Sequence, residues 1–173
     1  MSRAALVIVL ALGACSKRSP AASDGDSPKK PEVNDPSPTD PPASDKRAII
    51  HLTGTDGEAI VSAEVVSSPK TIQRGLMYRT KMPPDEGMLF LLGYEDDHAF
   101  WMHNTLISLD LIYIGKNMKV VGVAANAPIK NDTRILVGAQ SLYVLEVNAG
   151  WAAAHGIGTG ATVRFEGVEA AAH

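Results

Sequence analysis

The sequence predicts an α+β fold, a compact and mainly antiparallel barrel-like β-sheet with two short helices. Between residues 47 and 168, apolar residues occur in short runs that either alternate with polar residues or are uniformly apolar. Such runs are typical of strands. Turn residues separate the runs, and only two stretches carry helix signals. Many short strands with few helices indicate a sheet that curls into a barrel-like form.

The first two predicted strands form a hairpin. The segments 47–52 and 60–66 are apolar or alternating, and Asp56-Gly57 lies between them. Asp-Gly between two such runs favours a tight hairpin turn, because these residues accept positive φ angles.

A helix is predicted to begin at Ser68-Pro69. Ser68 can cap the free N–H groups of the first turn, and Pro69 suits the first helical position. Ile72 and Leu76 are four residues apart and are expected to face the core. Met82-Pro83-Pro84-Asp85 then interrupts the chain.

The rest of the domain is predicted to be strands joined by turns, at residues 87–92, 100–102, 111–114, 120–124, 142–147 and 162–165. Gly115-Lys116-Asn117 predicts a second hairpin. Residues 126–140 are polar and contain Pro128, so we expect a mobile loop there. Asn148 is expected to cap a second short helix that runs through His155, with Gly156 at its C-terminal end.

The first 14 residues have the pattern of a secretory signal peptide. A basic start precedes an apolar run at residues 4–12, which is too short to span a bilayer because spanning takes about 20 residues. Leu12-Gly13-Ala14-Cys15 resembles the lipobox of bacterial lipoproteins. The resemblance implies cleavage before Cys15, a lipid on its thiol and anchoring in a membrane. Ser16, rather than Asp, follows the cysteine, which implies the outer membrane of the cell envelope.

Residues 15–46 are predicted to be a lipidated and disordered tether. This segment is rich in Pro, Ser, Asp and Lys and has no aromatic residue, so it cannot bury enough apolar surface to fold. Residues 47–168 are predicted to be one globular domain, and residues 169–173 a tail. The formal net charge of the chain is −3 and no basic stripe occurs, which argues against a nucleic-acid partner.

Four motifs follow one another through the predicted domain: Gly75-Leu76-Met77-x-Arg79, Gly87-Met88-Leu89-Phe90, Phe100-Trp101-Met102-x-Asn104-Thr105 and Val144-Leu145-Glu146-x-x-Ala149-Gly150. In this order they resemble the family called domain of unknown function 192, over residues 63–165. The resemblance implies a strand-rich α+β domain that is often exported. It implies no function, because none is established for the family.

The chain departs from the pattern of this family at three positions. His103 stands where Lys is usual, Ser108 where Pro is usual, and Ala161 where Asp is usual. If the usual Lys has a chemical role, His103 keeps the positive charge only when protonated, below about pH 6.5.

Residues 101–105 are the first candidate ligand-binding segment. The aromatic face of Trp101 can support a sugar ring or a peptide side chain, and His103 would share that face of a strand. Asn104 and Thr105 would offer amide and hydroxyl groups. The alternative is a plain turn, in which Asn104 and Thr105 bond their own backbone.

Asp110 and Glu146 are the second candidates. Each lies between two apolar residues of a predicted strand, so each side chain faces away from those neighbours. A pair of carboxylates could perform acid–base chemistry or glycoside hydrolysis. Alternatively, they form ion pairs with Arg74 or Arg79; Arg79 is also a candidate ligand-binding residue.

The sequence favours a membrane-tethered envelope lipoprotein with a non-enzymatic binding domain for a small molecule, a glycan or an envelope protein. The five histidines are scattered, so we predict no metal site and no cofactor. Nucleophile and phosphate-loop motifs are absent. Two alternatives stay open: an envelope hydrolase that uses Asp110 or Glu146 with the assistance of His103, and a structural or assembly role without a ligand.

Overall fold

The computed structural model describes residues 36–38, 44 and 46–168. Seven strands and two helices occur in these residues, in the order β1 (Arg47–Gly54), β2 (Gly57–Val66), α1 (Pro69–Arg74), β3 (Glu86–Asp96), β4 (Leu109–Ile114), β5 (Val120–Ala127), β6 (Ser141–Asn148), α2 (Trp151–Ala154) and β7 (Thr162–Glu166). The predicted signal peptide, Cys15, most of the predicted tether and the tail lie outside the described residues. Neither described helix has the length and apolarity that a membrane span requires.

The strands form one curled sheet in the order β5-β4-β6-β3-β2-β1-β7. Neighbouring strands are antiparallel except β2 and β3, which run parallel on either side of the crossover through α1. The curl brings the β5 end of the sheet to β7, where Lys119 bridges Thr162 and the Val163 N–H donates to the Met118 carbonyl at 2.9 Å. The predicted α+β fold with two short helices is confirmed as a half-barrel, and its sheet is mixed rather than purely antiparallel.

Local signals placed α1 and both hairpins correctly. The Ser68 Oγ accepts the Thr71 N–H at 3.2 Å, while the Ser68 N–H donates to Thr71 Oγ1 at 3.1 Å. This reciprocal pair is a capping box, which satisfies two donors at the start of the helix. Ile72 and Leu76 pack on the core as predicted. The hairpins β1–β2 and β4–β5 are antiparallel as expected.

Two predicted elements are wrong. The segment 100–102 is not a strand; only Phe100 pairs, in an isolated bridge with Ile135. Asn148 does not cap α2, because β6 continues through it and its side-chain amide donates to the carbonyl of Pro83 at 2.9 Å. The N-cap of α2 is Gly150, which has no side chain to bond the helix. Residues 128–140 contain no helix and no strand besides that bridge, and their predicted mobility stays a prediction.

The central strands are covered on both faces. One face buries Leu89, Ile112 and Leu145 against α2 and the strands β1, β2 and β7. The other face buries Phe90 and Tyr113 against α1 and the segments that follow β3 and β5. Because every position of β4 is buried, its sequence is continuously apolar except at one residue, Asp110.

Asp110 is fully buried on the face that carries α2. Its Oδ1 accepts the backbone N–H of Asn126 at 2.8 Å, and its Oδ2 accepts the N–H of Ala152 at 3.0 Å. One side chain therefore joins β4, the end of β5 and the start of α2. These charge-assisted bonds compensate the carboxylate for its lost hydration.

We expect Asp110→Asn to destabilise the domain by about 2 kcal/mol or more, because its amide nitrogen would face a backbone N–H that needs an acceptor. Urea denaturation measures the change. Asp56→Asn, in the exposed turn between β1 and β2, is the matched control and should leave the unfolding midpoint unchanged. Equal midpoints for the two variants would contradict the structural role of Asp110.

Candidate functional site

A cavity of about 420 Å³ opens between α1 and the sheet. Its walls come from α1 and its flanking turns (between residues 67 and 77), from the middle of β3, from the segment 98–105 and from Glu146 on β6. We call it the α1 cavity. Its volume lies in the range of small-molecule sites.

Aromatic rings form much of this cavity. Phe90 and Phe100 pack edge to face with 5.0 Å between ring centroids, and Phe100 contacts Tyr113 in the same way at 6.0 Å. Trp101 is 38% exposed and lies beside His103, with 5.3 Å between the ring centroids. The cavity thus has an apolar wall, and an accessible indole ring stands at its opening.

Glu146 is the buried carboxyl of the α1 cavity and is only 5% exposed. On the sheet it lies opposite Met88 of β3 and Leu111 of β4, so both neighbours across the strands are apolar. Among the described residues, none forms a hydrogen bond or ion pair with its carboxyl. Burial raises the pKa of Glu146 to about 8. At neutral pH the group is therefore mostly a neutral acid that can donate a hydrogen bond.

Gly87 sets the spacing of the strands beside Glu146. A Cβ at this position would lie 2.5 Å from the carbonyl oxygen of Glu146, which is closer than van der Waals contact allows. A glycine is therefore required where β3 passes β6. This accounts in physical terms for the first residue of the motif Gly87-Met88-Leu89-Phe90.

The segment 101–105 is a turn that also lines the cavity. The Thr105 N–H donates to the carbonyl of Met102 at 3.1 Å, and Asn104 has a positive φ of 51°. The Asn104 side chain donates to the Tyr78 hydroxyl at 2.8 Å, and the Tyr78 N–H donates to the Asn104 carbonyl at 2.9 Å. Asn104 therefore holds this turn against the segment that follows α1.

The basic side chains near the opening have partners. His103 Nδ1 lies 2.5 Å from Oδ1 of Asp132. Arg74 donates to the carbonyl of Ser37 at 2.5 Å, and its guanidinium lies 5.6 Å from the centre of the Tyr78 ring. These contacts fix the rim of the cavity.

Of the predicted ligand-binding residues, those that line the α1 cavity are Trp101, His103, Thr105 and Glu146. Arg79 is elsewhere, since it pairs with the buried Glu64 at 2.5 Å. Asp110 is also elsewhere: it lies opposite Val147, whose side chain points to the other face of the sheet from that of Glu146. Neither expected arginine pairs with Asp110 or Glu146.

The walls that come from α1 and β3 are not predicted from the sequence. Ile72 and Leu76, predicted to face the core, also border the cavity. Tyr94 and Ala99 are further lining residues that the sequence prediction does not include. A tyrosine among charged residues after a buried strand was the available signal, although it does not reveal which cavity the ring borders. Within residues 46–168 and the few described before them, no three acidic, histidine or cysteine side chains could jointly hold a metal ion.

The raised pKa of Glu146 predicts that the stability of the fold depends on pH. Folded Glu146 keeps its proton up to about pH 8, while the unfolded chain loses it near pH 4.5. Unfolding between these values therefore releases a proton, so rising pH should weaken the fold, by at most about 5 kcal/mol.

We expect Glu146→Gln to lose this pH-dependent part of the free energy of unfolding, because a glutamine does not titrate. Urea unfolding of both proteins at pH 5, 7 and 9 measures that free energy. The variant should become more stable relative to the parent as pH rises, and parallel pH profiles would show that the folded carboxyl titrates normally.

Solved structures similar to this chain include the following two. A protein of unknown function from Novosphingobium aromaticivorans DSM 12444 is 38% identical, with a TM-score of 0.65, over 67% of this chain and 83% of that one. A putative transcription regulator from Sinorhizobium meliloti 1021 is 30% identical, with a TM-score of 0.69, over 72% of this chain and 98% of that one.

A search of curated proteins finds no match. The model of the family DUF192, described as an uncharacterized ACR, matches residues 50–165. This match covers nearly the whole globular domain. It includes every described strand and helix in full, except for the first three residues of β1 and the last residue of β7. The chain therefore belongs to the DUF192 family.

Proposed function

We propose that this protein is a non-enzymatic binding module, held at the cell envelope by a lipid on Cys15, which takes a small molecule into the α1 cavity. The observation that carries the proposal is Glu146, a carboxyl that is 5% exposed, lines the cavity and has no partner among the described residues. A buried polar group without a hydrogen bond destabilises a protein by about 1–3 kcal/mol. A ligand that bonds this carboxyl would remove that penalty.

The cavity has the composition of a binding site. Small-molecule sites are concave and mainly apolar, and a few polar groups orient the ligand. Here aromatic rings supply the apolar surface, while Glu146 and the hydroxyl of Thr105 are the polar groups inside. The exposed Trp101 stands where an incoming ring would first meet the protein.

The geometry argues against hydrolysis by Asp110 and Glu146 as a pair of carboxyls. A glycosidase of the expected kind needs two carboxyls on either side of one bond. Asp110 and Glu146 lie on opposite faces of the sheet, and both oxygens of Asp110 already accept backbone hydrogen bonds. The two residues therefore cannot act on one substrate.

The location at the envelope rests on the N-terminal sequence. The lipobox-like Leu12-Gly13-Ala14-Cys15 and the Pro-rich residues after it fit a lipid-anchored domain on a tether. The relative from Sinorhizobium meliloti is described as a putative transcription regulator. The net charge of −3 in this chain gives a nucleic-acid role no support.

Ligand entry can be tested with N-phenyl-1-naphthylamine, a neutral aromatic probe that fluoresces in apolar surroundings. We expect saturable binding of one probe per protein, and a loss of at least tenfold in affinity for Ala99→Trp, because the new ring would occupy the cavity. Ala153→Trp, on the exposed side of α2, is the matched control and should bind normally. Equal binding by both variants would place the probe elsewhere, and no binding by the parent would count against the cavity as a ligand site.

The anchor can be tested by Cys15→Ser and fractionation of cells. The parent should sediment with membranes, while the variant should be released, because it lacks the thiol that carries the lipid. A variant that stays with the membrane fraction would show that Cys15 is not the anchor. This result is independent of what the domain binds.

A further inference from the structure

In the described part of the chain, the α1 cavity has one carboxyl without a protein partner in its lining, Glu146, and a second one, Asp97, beside the lining. Besides Glu146, the Oδ1 of Asp97 is buried and finds no hydrogen-bond partner in the described chain. Asp97 directly precedes His98 and Ala99, which line the cavity. After burial itself, the charges of Glu146 and Asp97 are the next causes that raise the pKa of Tyr113, so both carboxyls lie within electrostatic range of one hydroxyl.

No cation of the described protein neutralises Glu146. Arg74 contacts a backbone carbonyl and the Tyr78 ring, and Arg79 pairs with Glu64 on β2. Nε2 of His98 lies 3.0 Å from the carbonyl of Tyr94, and His103 is bonded to Asp132. The nearby positive groups thus contact other atoms, and none of them provides a counter-charge for Glu146.

The rings of the cavity suit a cation as well. Aromatic faces attract positive charge, by about 2 kcal/mol or more where water is excluded. Phe90, Phe100 and Trp101 border the same space as Glu146. An apolar lining of this kind favours an organic cation over a hydrated metal ion, because it offers too few oxygens to replace the hydration shell.

We propose that the α1 cavity selects organic cations, with a protonated amine of the ligand on the Glu146 carboxylate and its apolar body against the aromatic wall. This inference rests on the proposed function, since it names the class of ligand for the same cavity. Neutral Glu146 gives up its proton to solvent as the ammonium group enters, and the carboxylate and the ammonium group then form an ion pair.

The pH dependence follows from the groups that face Glu146. Arg74 from α1, Tyr94 from β3, and His98 and His103 line the cavity with Glu146. Tyr113 from β4 lies within electrostatic range of both Glu146 and Asp97, and the neighbours of Glu146 across β3 and β4 do not titrate. Between pH 7 and 9, above the usual range of histidine, Glu146 passes from about one tenth to about nine tenths ionised. Affinity for a cation should therefore rise about tenfold across this range.

The test compares 2-phenylethylamine with 2-phenylethanol and phenylacetate, which share an aromatic body and differ in charge. Calorimetric titration at pH 7, 8 and 9 measures affinity, and titration in two buffers of different ionisation heat measures proton release. We expect the amine to bind at least tenfold more tightly than the alcohol at pH 9, with a rise of about tenfold from pH 7 and release of a proton at the lower pH.

Glu146→Gln should bind the amine and the alcohol equally and show no rise with pH. Glu58→Gln, an exposed carboxyl on β2, is the control and should match the parent. If Glu146→Gln does not fold, the pH profile of amine binding and the proton release of the parent still show whether the amine binds the ionised carboxyl.

The possible failures are distinct. Tighter binding of the alcohol or phenylacetate, or amine affinity that falls as pH rises, would overturn the choice of a cation and leave the proposed function standing. If none of the three compounds binds, and the naphthylamine probe does not bind either, the cavity is not a ligand site and both proposals fail. Binding of the probe alone would overturn only the cation inference.

Discussion

The structure depends on one packing constraint: the central strands β3, β4 and β6 must be covered on both faces. Their alternate side chains supply two separate cores, so each strand is apolar at nearly every position. The short α2 and the curled edge strands close the first core. The second core is covered by α1 and irregular segments, which fill it less completely. The α1 cavity is the space that this cover leaves over β6.

The two buried acids of the central strands show how position decides whether a buried carboxyl finds hydrogen-bond partners. Asp110 lies where the ends of β5 and α2 converge, and two backbone N–H groups satisfy it. Glu146 precedes Val147, the residue that pairs with Asp110, so its side chain lies on the opposite face of the sheet, among apolar side chains. Asp110 holds three elements together. Glu146 is buried without a hydrogen-bond partner in the described chain, which is unfavourable, and the packing of the surrounding fold keeps it there.

Much of the fold could be predicted because its signals are local. Asp56-Gly57 and Ser68-Pro69 fix a turn and a helix start within a few residues. The place of β6 between β3 and β4 could not be predicted, since that pairing joins distant segments. Asp110 and Glu146 occupy the same local pattern, an acid between apolar residues of a strand, so only strand register and the covering segments tell them apart. The strand predicted at residues 100–102 is wrong because an apolar run does not show whether a partner strand exists.

The walls of the α1 cavity are largely separate from the strands that hold the sheet together. Apart from the contributions of β3 and β6, the cavity is bordered by connections, α1 with its turns and the segment 98–105. Substitutions in a connection leave the pairing of the strands intact, whereas substitutions in β6 disturb both cores. The shape of the cavity and the pairing of the sheet are therefore set by largely different residues.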